Sequence, residues 1–523
     1  MRAPAVAALV LSLSLSACVR QEAPNRPLVT TLDFTAFDAQ QGTLKLRGGT
    51  PSGLLSRDAE PEYITVAPDG KTAYVTLQES NAVATLDLTR GAFTRLSNLG
   101  LKDHSAPGAG LDPSDRDGAI RIQNWPVKGA YMPDAIANFT AGGRTYLVTA
   151  NEGDTRDYSA FTDEVRVSAL RLDPTAFPNA AVLQADTALG RLTVSSVDAD
   201  TDGDGDADQL VAFGARSLSV WTADLTRVSD TGDLFERKTA ELVPAAFNSN
   251  GTASTFDTRS DNKGPEPEGV VVATVGGRPL AFVGLERTGG VMVLDLSDPA
   301  RPGFLSYTNT VDVTASPQSG TAGDLGPEGL LFISAPDSPN GQPLLVVANE
   351  VSGSTTLYRV ADTGALTRVG RYQVTPYAYD QGAAEIPAYD PGSKRLFVVN
   401  GAIKGLDSLN IADPAAPTLA GQIDLSRYGA GASANSVAVK NGVVAVAVQA
   451  PVKTDPGKVA LLNPDGSERA PAVMVGSQPD MVTFTPDGTL ILTANEGEPQ
   501  GDYTVDPLGS VSIIDVAKAL AAK

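Results

Sequence analysis

The sequence predicts an all-β fold, a single β-propeller of seven or eight blades, and three observations support this. A unit of strand, tight turn, strand, polar break and strand recurs about every 45 to 70 residues. The 51 Gly and 36 Pro residues suit a fold made mainly of turns, and no long helical pattern interrupts the repeats. Because a sheet of three or four strands cannot bury both faces alone, repeated units must stack, and radial stacking gives a propeller.

The clearest unit spans residues 61–88. Its first two predicted strands, 61–66 and 72–77, are rich in β-branched and aromatic residues and flank the turn Pro68-Asp69-Gly70. Glycine accepts the positive φ that a tight hairpin turn requires. A third apolar strand ends the unit, which therefore predicts an antiparallel meander.

Further copies determine the predicted number of blades. Clear copies begin at residues 133, 267, 327 and 479, and weaker ones at 209, 386 and 436. This count favours eight blades, but the copy near 209 lacks a clear inner strand, so seven remain open. The last copy stops at its third strand near Val516, and residues 28–37 or 43–46 are candidates for the strand that closes the ring. A stack of β-sandwiches, the alternative, would not return the same turn at the same place in every unit.

The N-terminus predicts export. A basic start and a short apolar run precede Ser16-Ala17-Cys18, and LSAC at 15–18 resembles a bacterial lipobox. The resemblance implies that Cys18, the only cysteine, receives a diacylglycerol. We therefore predict a lipoprotein signal peptide at 1–17, a tether at 18–27, a propeller domain at 28–523, and attachment to a membrane of the cell envelope through Cys18. An ordinary signal peptide with a chance cysteine is the alternative, and export follows from either.

Charge and histidine content exclude several functions. The formal net charge of −21 argues against nucleic acid as a partner and is compatible with cation binding. His104 is the only histidine, which excludes histidine-rich zinc or copper sites and leaves no haem ligation of the kind an electron-transfer propeller needs.

Acidic residues recur at equivalent places in the units. In a propeller blade, the start of the inner strand and the end of the next strand emerge on the same face. Inner strands begin with an acid after proline, and second strands end in another acid. The two sets are Glu62, Asp134, Glu268, Glu328 and Asp480, and Glu79, Glu152, Glu286, Glu350 and Glu496. We expect all ten on one face, with the first five around the channel mouth. Hydrogen bonding to a neighbouring blade is the alternative role for each.

Long insertions are expected on this same face, at 102–132, 236–268, 151–164 and 495–509, so this face is the candidate site. The predicted channel-mouth residues are Glu62, Asp134, Glu152, Glu268, Glu328, Asp480, Arg259 and Lys263. Basic residues beside a carboxylate-held metal would suit an anionic ligand such as a phosphoester. The same pairs would equally form ion-pair networks that order long loops.

The most specific local motif predicts a calcium-binding loop. Asp198, Asp200 and Asp202 alternate and precede Gly203, as in the first half of an EF-hand loop, and Asp204, Asp206 and Asp208 offer further oxygens. Gln209 stands where an EF-hand has its bidentate Glu, and no helices are predicted beside the loop, so the site would be a helix-free calcium loop of structural role. An acidic solvated loop is the alternative. The cluster Asp112, Asp115 and Asp117 lacks alternation and leaves metal binding and a capped turn both open.

The chain contains four distinctive stretches: GLDPSDRDGAI, TANEGDTRDY, DTDGDGDADQL followed by FGARSLSVW, and RSDNKGPEPEGV. They resemble stretches of the choice-of-anchor I family of bacterial extracellular proteins. The resemblance implies a propeller like YVTN and WD40 repeats, attached to the cell surface by one of several anchors. Some members are joined to metallophosphatase or nucleotidase domains. This chain lacks the Asp and His constellation of such domains, so that activity does not carry over.

The sequence therefore favours a lipid-anchored, calcium-stabilised binding or interaction module of the cell envelope, with an envelope protein or an anionic ligand as partner. The alternative is a metal-dependent hydrolase of the phosphoesterase type, with its site at the channel mouth. No catalytic residue is assigned.

Overall fold

The computed structural model describes residues 27–44 and 49–522, so Cys18, the predicted signal peptide and nearly all of the tether lie outside the described residues. Strands dominate, and seven sheets contain four antiparallel strands each. Within the described part of the chain, every helix is too short or too polar to span a lipid bilayer.

The first strand and sheet 1 come from the N-terminal hundred residues. Their elements, with two short helices, are β1 (Val29–Asp33), α1 (Gln41–Leu44), α2 (Leu55–Asp58), β2 (Pro61–Val66), β3 (Thr72–Leu77), β4 (Ala82–Asp87) and β5 (Ala92–Asn98). Sheet 1 has the order β2-β3-β4-β5, and the strands predicted at 61–66 and 72–77 are confirmed. Gly70 has φ +67° and its N–H donates to the Ala67 carbonyl, as a tight turn requires.

Sheet 2 and an accessory sheet are interleaved along the chain. This part of the chain contains β6 (Leu101–Asp103), β7 (Lys128–Ala130), β8 (Ile136–Ala141), β9 (Arg144–Asn151), β10 (Asp157–Tyr158), β11 (Phe161–Thr162), β12 (Glu164–Arg166), α3 (Ala180–Leu183), β13 (Thr193–Ser195), β14 (Val211–Ala212), β15 (Ser217–Thr222), β16 (Arg227–Asp230) and α4 (Leu234–Leu242). Among the described residues, strands β10 and β11 pair only with each other. Sheet 2 has the order β8-β9-β15-β16, and the accessory sheet β12-β13-β14-β7-β6.

Sheets 3 to 6 are meanders of consecutive strands. Their bounds are β17 (Pro267–Val275), β18 (Arg278–Leu285), β19 (Val291–Asp295) and β20 (Gly303–Thr308) in sheet 3; β21 (Pro327–Ile333), β22 (Leu344–Asn349), β23 (Ser354–Val360) and β24 (Leu366–Gln373) in sheet 4; β25 (Pro387–Asp390), β26 (Arg395–Asn400), β27 (Gly405–Asn410) and β28 (Thr418–Ile423) in sheet 5; and β29 (Ser433–Lys440), β30 (Val443–Gln449), β31 (Pro456–Leu462) and β32 (Glu468–Ser477) in sheet 6.

Sheet 7 joins the two ends of the chain. It contains β33 (Pro479–Phe484), β34 (Leu490–Asn495) and β35 (Ser510–Asp515), and helix α5 (Val516–Ala521) follows. Its fourth strand is β1, which pairs antiparallel with β35 from Val29 opposite Ile514 to Asp33 opposite Ser510. The closing strand predicted within 28–37 is thereby confirmed; of the other candidate, residues 43 and 44 belong to α1 and the rest is not described.

The seven sheets form a ring. The first strand of each sheet contacts the first strand of the next, in the order β2, β8, β17, β21, β25, β29, β33 and back to β2. Apolar side chains fill the spaces between neighbouring sheets. Leu492 and Ile513 of sheet 7 pack with Ile64 and Leu77 of sheet 1, and a second cluster lies between sheets 2 and 3. The fold is thus a β-propeller.

The eighth copy favoured by the sequence is not an eighth sheet among the described residues. The copy near 209 is divided: β14 joins the accessory sheet, and β15 is the third strand of sheet 2, paired with β9. The second and third strands of sheet 2 are therefore separated by residues 152–216 instead of the expected loop 151–164. The copy resembles a hairpin because both pieces are apolar and β-branched, although they pair with different partners.

Candidate functional site

The predicted acidic positions do lie at one edge of their sheets. The residue that begins an inner strand stands opposite the residue that ends the second strand: Pro61 opposite Leu77, Pro327 opposite Asn349, and Pro479 opposite Asn495. Each acid follows one of these residues directly, except Glu79, which is separated from Leu77 by Gln78. The acids at strand starts and strand ends therefore emerge together, as antiparallel pairing requires.

A cavity of about 450 Å³ opens at the centre of the ring on this face. Three predicted residues line it, Asp134, Glu328 and Asp480, together with Glu350 and Glu385. Lys404 is the one basic residue of its lining, and polar groups such as Asn435 complete it. We call this cavity the channel mouth. Sequence reasoning missed Glu385 because it precedes Ile386-Pro387 instead of following the proline.

The channel mouth concentrates negative charge in a poorly solvated space. Burial and then Glu498 raise the pKa of Asp480 to about 7, and burial, Glu350 and Asp480 raise the pKa of Glu385 to about 8. Burial likewise raises the pKa of Asp134 and of Glu328 well above the ordinary range. These carboxyl groups hold protons tightly unless another positive charge replaces them.

Glu62 and Glu268, the other two acids at inner-strand starts, belong to clusters between neighbouring sheets. Glu62 and Glu79 of sheet 1 meet Glu496 of sheet 7, with one oxygen from each within 4.8 Å of the others. We call this cluster the closing triad, because it lies between the sheet that closes the ring and sheet 1. Glu62 and Glu79 are 8% and 4% exposed, and Glu62 Oε2 and Glu79 Oε2 are buried without a hydrogen-bond partner.

Few cations compensate the closing triad. In the described ranges 27–44 and 49–522, no ion pair within 4.0 Å includes any of its three carboxylates. Arg156 lies nearby, but its Nε is 4.0 Å from Glu60 and its Nη2 donates to the Asp58 carbonyl at 2.8 Å. Burial, followed by Asp154, raises the pKa of Glu79 to about 7 even though Arg156 lowers it.

An equivalent cluster between sheets 2 and 3 is compensated at two of its three carboxylates, and the third, Glu268, has a buried Oε2 without a hydrogen-bond partner. Glu268 and Glu286 of sheet 3 meet Glu152 of sheet 2, again with one oxygen from each within 4.8 Å of the others. We call this cluster the paired triad. Lys263 Nζ donates to Glu152 Oε1, and Arg287 Nη2 lies 2.7 Å from Glu286 Oε1. Gln78 also donates to Glu152, at 2.9 Å.

The basic residues predicted at the site pair largely with a residue that was not predicted. Glu266 is fully buried and accepts Arg259 Nη2 at 2.5 Å, with Arg287 at 3.4 Å and Lys263 at 3.6 Å. Burial alone would raise its pKa, but Lys263, Arg259 and Arg287 together hold the pKa below its ordinary value. Arg259 and Lys263 thus order the insertion before sheet 3. The sequence analysis did not single out Glu266, because acids stand on both sides of Pro267 and the sequence does not show which of them pairs with the basic residues.

The aspartate-rich loop gathers three of its six predicted carboxylates. Asp200, Asp202 and Asp208 place one oxygen each within 4.8 Å of one another, and Asp206 belongs to a second group with Asp173 and Asp208. Asp200 accepts the Gly203 and Gly205 N–H groups at 2.6 and 2.9 Å. Asp204 accepts the N–H of Asp206 at 3.1 Å, and Asp198 offers its carbonyl to Gln209 at 2.8 Å.

The remaining candidate residues serve the structure. Asp112 is buried and accepts the Arg121 N–H at 2.5 Å, while Asp115 pairs with Arg191 and Asp117 with Arg121. Asp112 and Asp117 are therefore both held by Arg121, through its N–H and its side chain, while Asp115 is directed to Arg191. His104 is buried, its Nδ1 is 2.7 Å from the Ala109 carbonyl, and burial together with Lys102 holds its pKa well below the ordinary value. This arrangement suits a packed loop and not acid–base chemistry.

Comparison with known proteins identifies relatives. The profile of the choice-of-anchor I domain matches residues 12–299 and 385–522. Gigasin-3a of Magallana gigas is 34% identical over 190 residues, which cover 34% of this chain and 66% of the relative. Mesenchyme-specific cell surface glycoprotein of Strongylocentrotus purpuratus is 28% identical over 317 residues, which cover 52% of this chain and 40% of the relative.

The solved WD40 repeats of RRP9 align over 93% of this chain and 99% of that one, with 8% identity and a TM-score of 0.44. The chain spans less than two thirds of the length of the two curated relatives. The profile match covers most of the sequence, including the segments on which the resemblance was first seen. The chain therefore belongs to the choice-of-anchor I family.

Proposed function

We propose that this protein is a surface-attached binding module with seven blades, whose acidic channel mouth receives a cationic group of its ligand. The observation that carries the proposal is the lining of the channel mouth, where five carboxylates face a single lysine. Because these groups are close together and poorly solvated, a ligand cation would relieve their mutual repulsion.

The size and position of the channel mouth support this role. A cavity of about 450 Å³ is large enough for the side chain of a lysine or arginine or for a small polyamine. It lies on a rigid ring, at the edge where the long loops emerge, as binding sites often do. A cationic segment of an envelope protein fits this chemistry, whereas the predicted anionic ligand would need Arg259 and Lys263, which are paired with Glu266 and Glu152.

Binding of a short fluorescent oligolysine peptide to the full chain tests the proposal. We expect the free lysine peptide to bind, its acetylated counterpart to bind at least about tenfold more weakly, and Glu328→Gln or Asp480→Asn to weaken binding by a similar factor. Asp298→Asn, on an exposed loop away from the channel mouth, is the matched control. Equal affinity for the charged and acetylated peptides would contradict the proposal.

We also propose that the aspartate-rich loop binds a structural calcium ion. Asp200, Asp202 and Asp208 would supply carboxylate oxygens, and Asp198, Asp204 and Asp206 stand close by on the same loop. Asp200→Asn combined with Asp202→Asn should remove one equivalent of bound calcium. Unchanged calcium content in that variant would contradict the assignment.

Surface attachment through Cys18 completes the proposal. The lipobox-like LSAC at 15–18 supports it, and so does the relative that is described as a cell surface glycoprotein. Fractionation of cells should place the wild-type chain with membranes and Cys18→Ser in the soluble fraction. Retention of Cys18→Ser with membranes to the same extent would show that Cys18 is not the anchor.

The metal-dependent hydrolase remains an untested prediction that no observation favours. Arg259 and Arg287, the guanidinium groups beside the paired triad, contact Glu266 and leave its charge neutralised. An oxyanion substrate would have to displace those contacts.

A further inference from the structure

We propose that Glu62, Glu79 and Glu496 bind a divalent cation, calcium by the type of ligand, and that this ion joins sheet 7 to sheet 1. This site is separate from the aspartate-rich loop and from the channel mouth, and it does not depend on what the channel mouth binds.

The first observation is the geometry of the closing triad. One carboxylate oxygen from each residue lies within 4.8 Å of the others, so a single ion at their centre would be within reach of all three after small side-chain adjustments. Calcium takes oxygen ligands at about 2.3–2.6 Å and accepts irregular geometry. Carboxylates alone, without His or Cys, are typical of a site for calcium or another hard cation.

The second observation is a set of buried oxygens without partners. Glu62 Oε2 and Glu79 Oε2 have no hydrogen-bond partner, although both side chains are more than nine-tenths buried. Gln478 donates its Nε2 to Glu496, while its Oε1 is buried without a partner in a side chain that is 9% exposed. Buried polar oxygens are normally paired, so these acceptors point to a missing donor or ion.

The third observation is the charge balance. The paired triad has the same relative positions on two neighbouring sheets, and there Lys263 and Arg287 neutralise Glu152 and Glu286. Beside the closing triad, Arg156 contacts Glu60, the Asp58 carbonyl and the Ser80 hydroxyl instead. The fold therefore supplies protein cations to one triad, and the other requires them from solution.

The location gives such an ion a role. Glu496 follows β34 near the C-terminus, whereas Glu62 and Glu79 belong to the first sheet. Sheet 7 closes the ring through β1, so its contact with sheet 1 joins distant parts of the chain. A cation there would link these parts and stabilise the closed ring, much as a cross-link between distant residues does.

Isothermal titration of the full chain with calcium, after removal of metals, tests the proposal. The background is the loop variant Asp200→Asn with Asp202→Asn, so that the aspartate-rich loop does not contribute. We expect one remaining calcium equivalent, lost in Glu62→Gln and also in Glu496→Gln. Glu268→Gln, at the same position in the paired triad, is the matched control and should keep the calcium equivalent.

Thermal unfolding provides a second measurement, which distinguishes loss of the calcium site from a variant that binds calcium poorly because it is misfolded. At a calcium concentration about a hundredfold above the dissociation constant, the loop variant should melt roughly 2–3 °C higher than in EGTA. Glu62→Gln should lose this shift yet melt no lower than its parent in EGTA, because one repelling charge is removed. A full calcium shift in both Glu62→Gln and Glu496→Gln, or no calcium shift in the parent, would overturn the proposal.

Discussion

The closing triad and the paired triad show how one backbone arrangement acquires two electrostatic environments. Both combine the acid that begins an inner strand, the acid that ends the second strand, and the strand-end acid of the preceding sheet. In the paired triad, Lys263 and Arg287 contact two of the three carboxylates. In the closing triad, these contacts are missing from the described ranges 27–44 and 49–522.

The difference in compensating cations between the two triads comes from the inserted segments and not from the strands. Lys263 lies in the segment before sheet 3. Glu266 of this segment forms ion pairs with Arg259, Lys263 and Arg287. The segment before sheet 1 carries Asp58 and Glu60 instead, and Arg156 contacts it at Glu60 and the Asp58 carbonyl. Strand geometry thus fixes where carboxylates meet, while loop residues decide whether protein or solvent neutralises them.

Replacing Lys263 should have the largest effect on the difference between the two triads. Lys263→Gln leaves Glu152 without its ion pair and Glu266 with fewer cations, and both are buried. Loss of one partner from a buried pair costs about 3–5 kcal/mol, so urea unfolding should show a free energy of unfolding lower by about that amount. Calcium should recover part of the loss, because the paired triad would then resemble the closing triad.

Lys238→Gln is the control for this substitution. Lys238 pairs with Glu241 at 2.7 Å on helix α4, where Glu241 is largely exposed, so its loss should change the free energy of unfolding by about 0–1 kcal/mol. Equal effects for the two lysines would mean that the paired triad is not stabilised by its cations.

Calcium removal should affect the two triads differently. With EGTA in place of calcium at about a hundredfold over its dissociation constant, amide hydrogen exchange should quicken by up to about 100-fold near β2 and β34. Strands β17 and β18, beside the paired triad, should exchange at unchanged rates. Equal acceleration in both regions would show that calcium does not distinguish the triads.

The sequence could predict the strands and the acidic edge but not the triads. Residues 61–66 and 72–77 were recognisable because apolar periodicity and Asp69-Gly70 act locally. The shared edge of Glu62 and Glu79 follows from antiparallel pairing alone. The closing strand itself was predicted, but their meeting with Glu496 depends on how closely sheet 7 packs against sheet 1, a long-range contact that local pattern does not specify. The division of the copy near 209 between two sheets has the same cause.

The two regions should also give opposite responses to pH in metal-free buffer. The pKa of Glu79 is raised in the folded state from 4.5 to about 7, so its stabilising contribution is complete below pH 4.5 and is lost as the pH rises through 7. The pKa of Glu266 is lowered below 4.5, so its contribution is present above pH 4.5 and is lost as the pH falls through the lowered pKa.

Urea unfolding at several pH values should therefore show a maximum in the acid range and a decline between pH 5 and 7, to which Glu79 contributes about 1 kcal/mol per pH unit. Glu79→Gln should make this decline shallower by about that amount, because Asp480 and Glu385 still contribute, and should leave the acid limb unchanged. A decline of the same slope in Glu79→Gln would contradict this assignment.

The smallest expected effect concerns Glu62. In EGTA, Glu62→Gln removes one of several repelling charges and should raise the free energy of unfolding by about 1 kcal/mol. Glu152→Gln should lower it instead, because Lys263 loses its closest partner. Urea unfolding of the two variants side by side measures both signs, and a loss of stability in both would indicate that the closing triad has a neutralising partner within the protein.

Crystals grown with calcium, with data collected at long wavelength where calcium scatters anomalously, would test the central distinction most directly. We predict an anomalous peak among Glu62, Glu79 and Glu496 and none among Glu152, Glu268 and Glu286. A peak at the paired triad, or an empty closing triad in crystals whose aspartate-rich loop holds calcium, would contradict it.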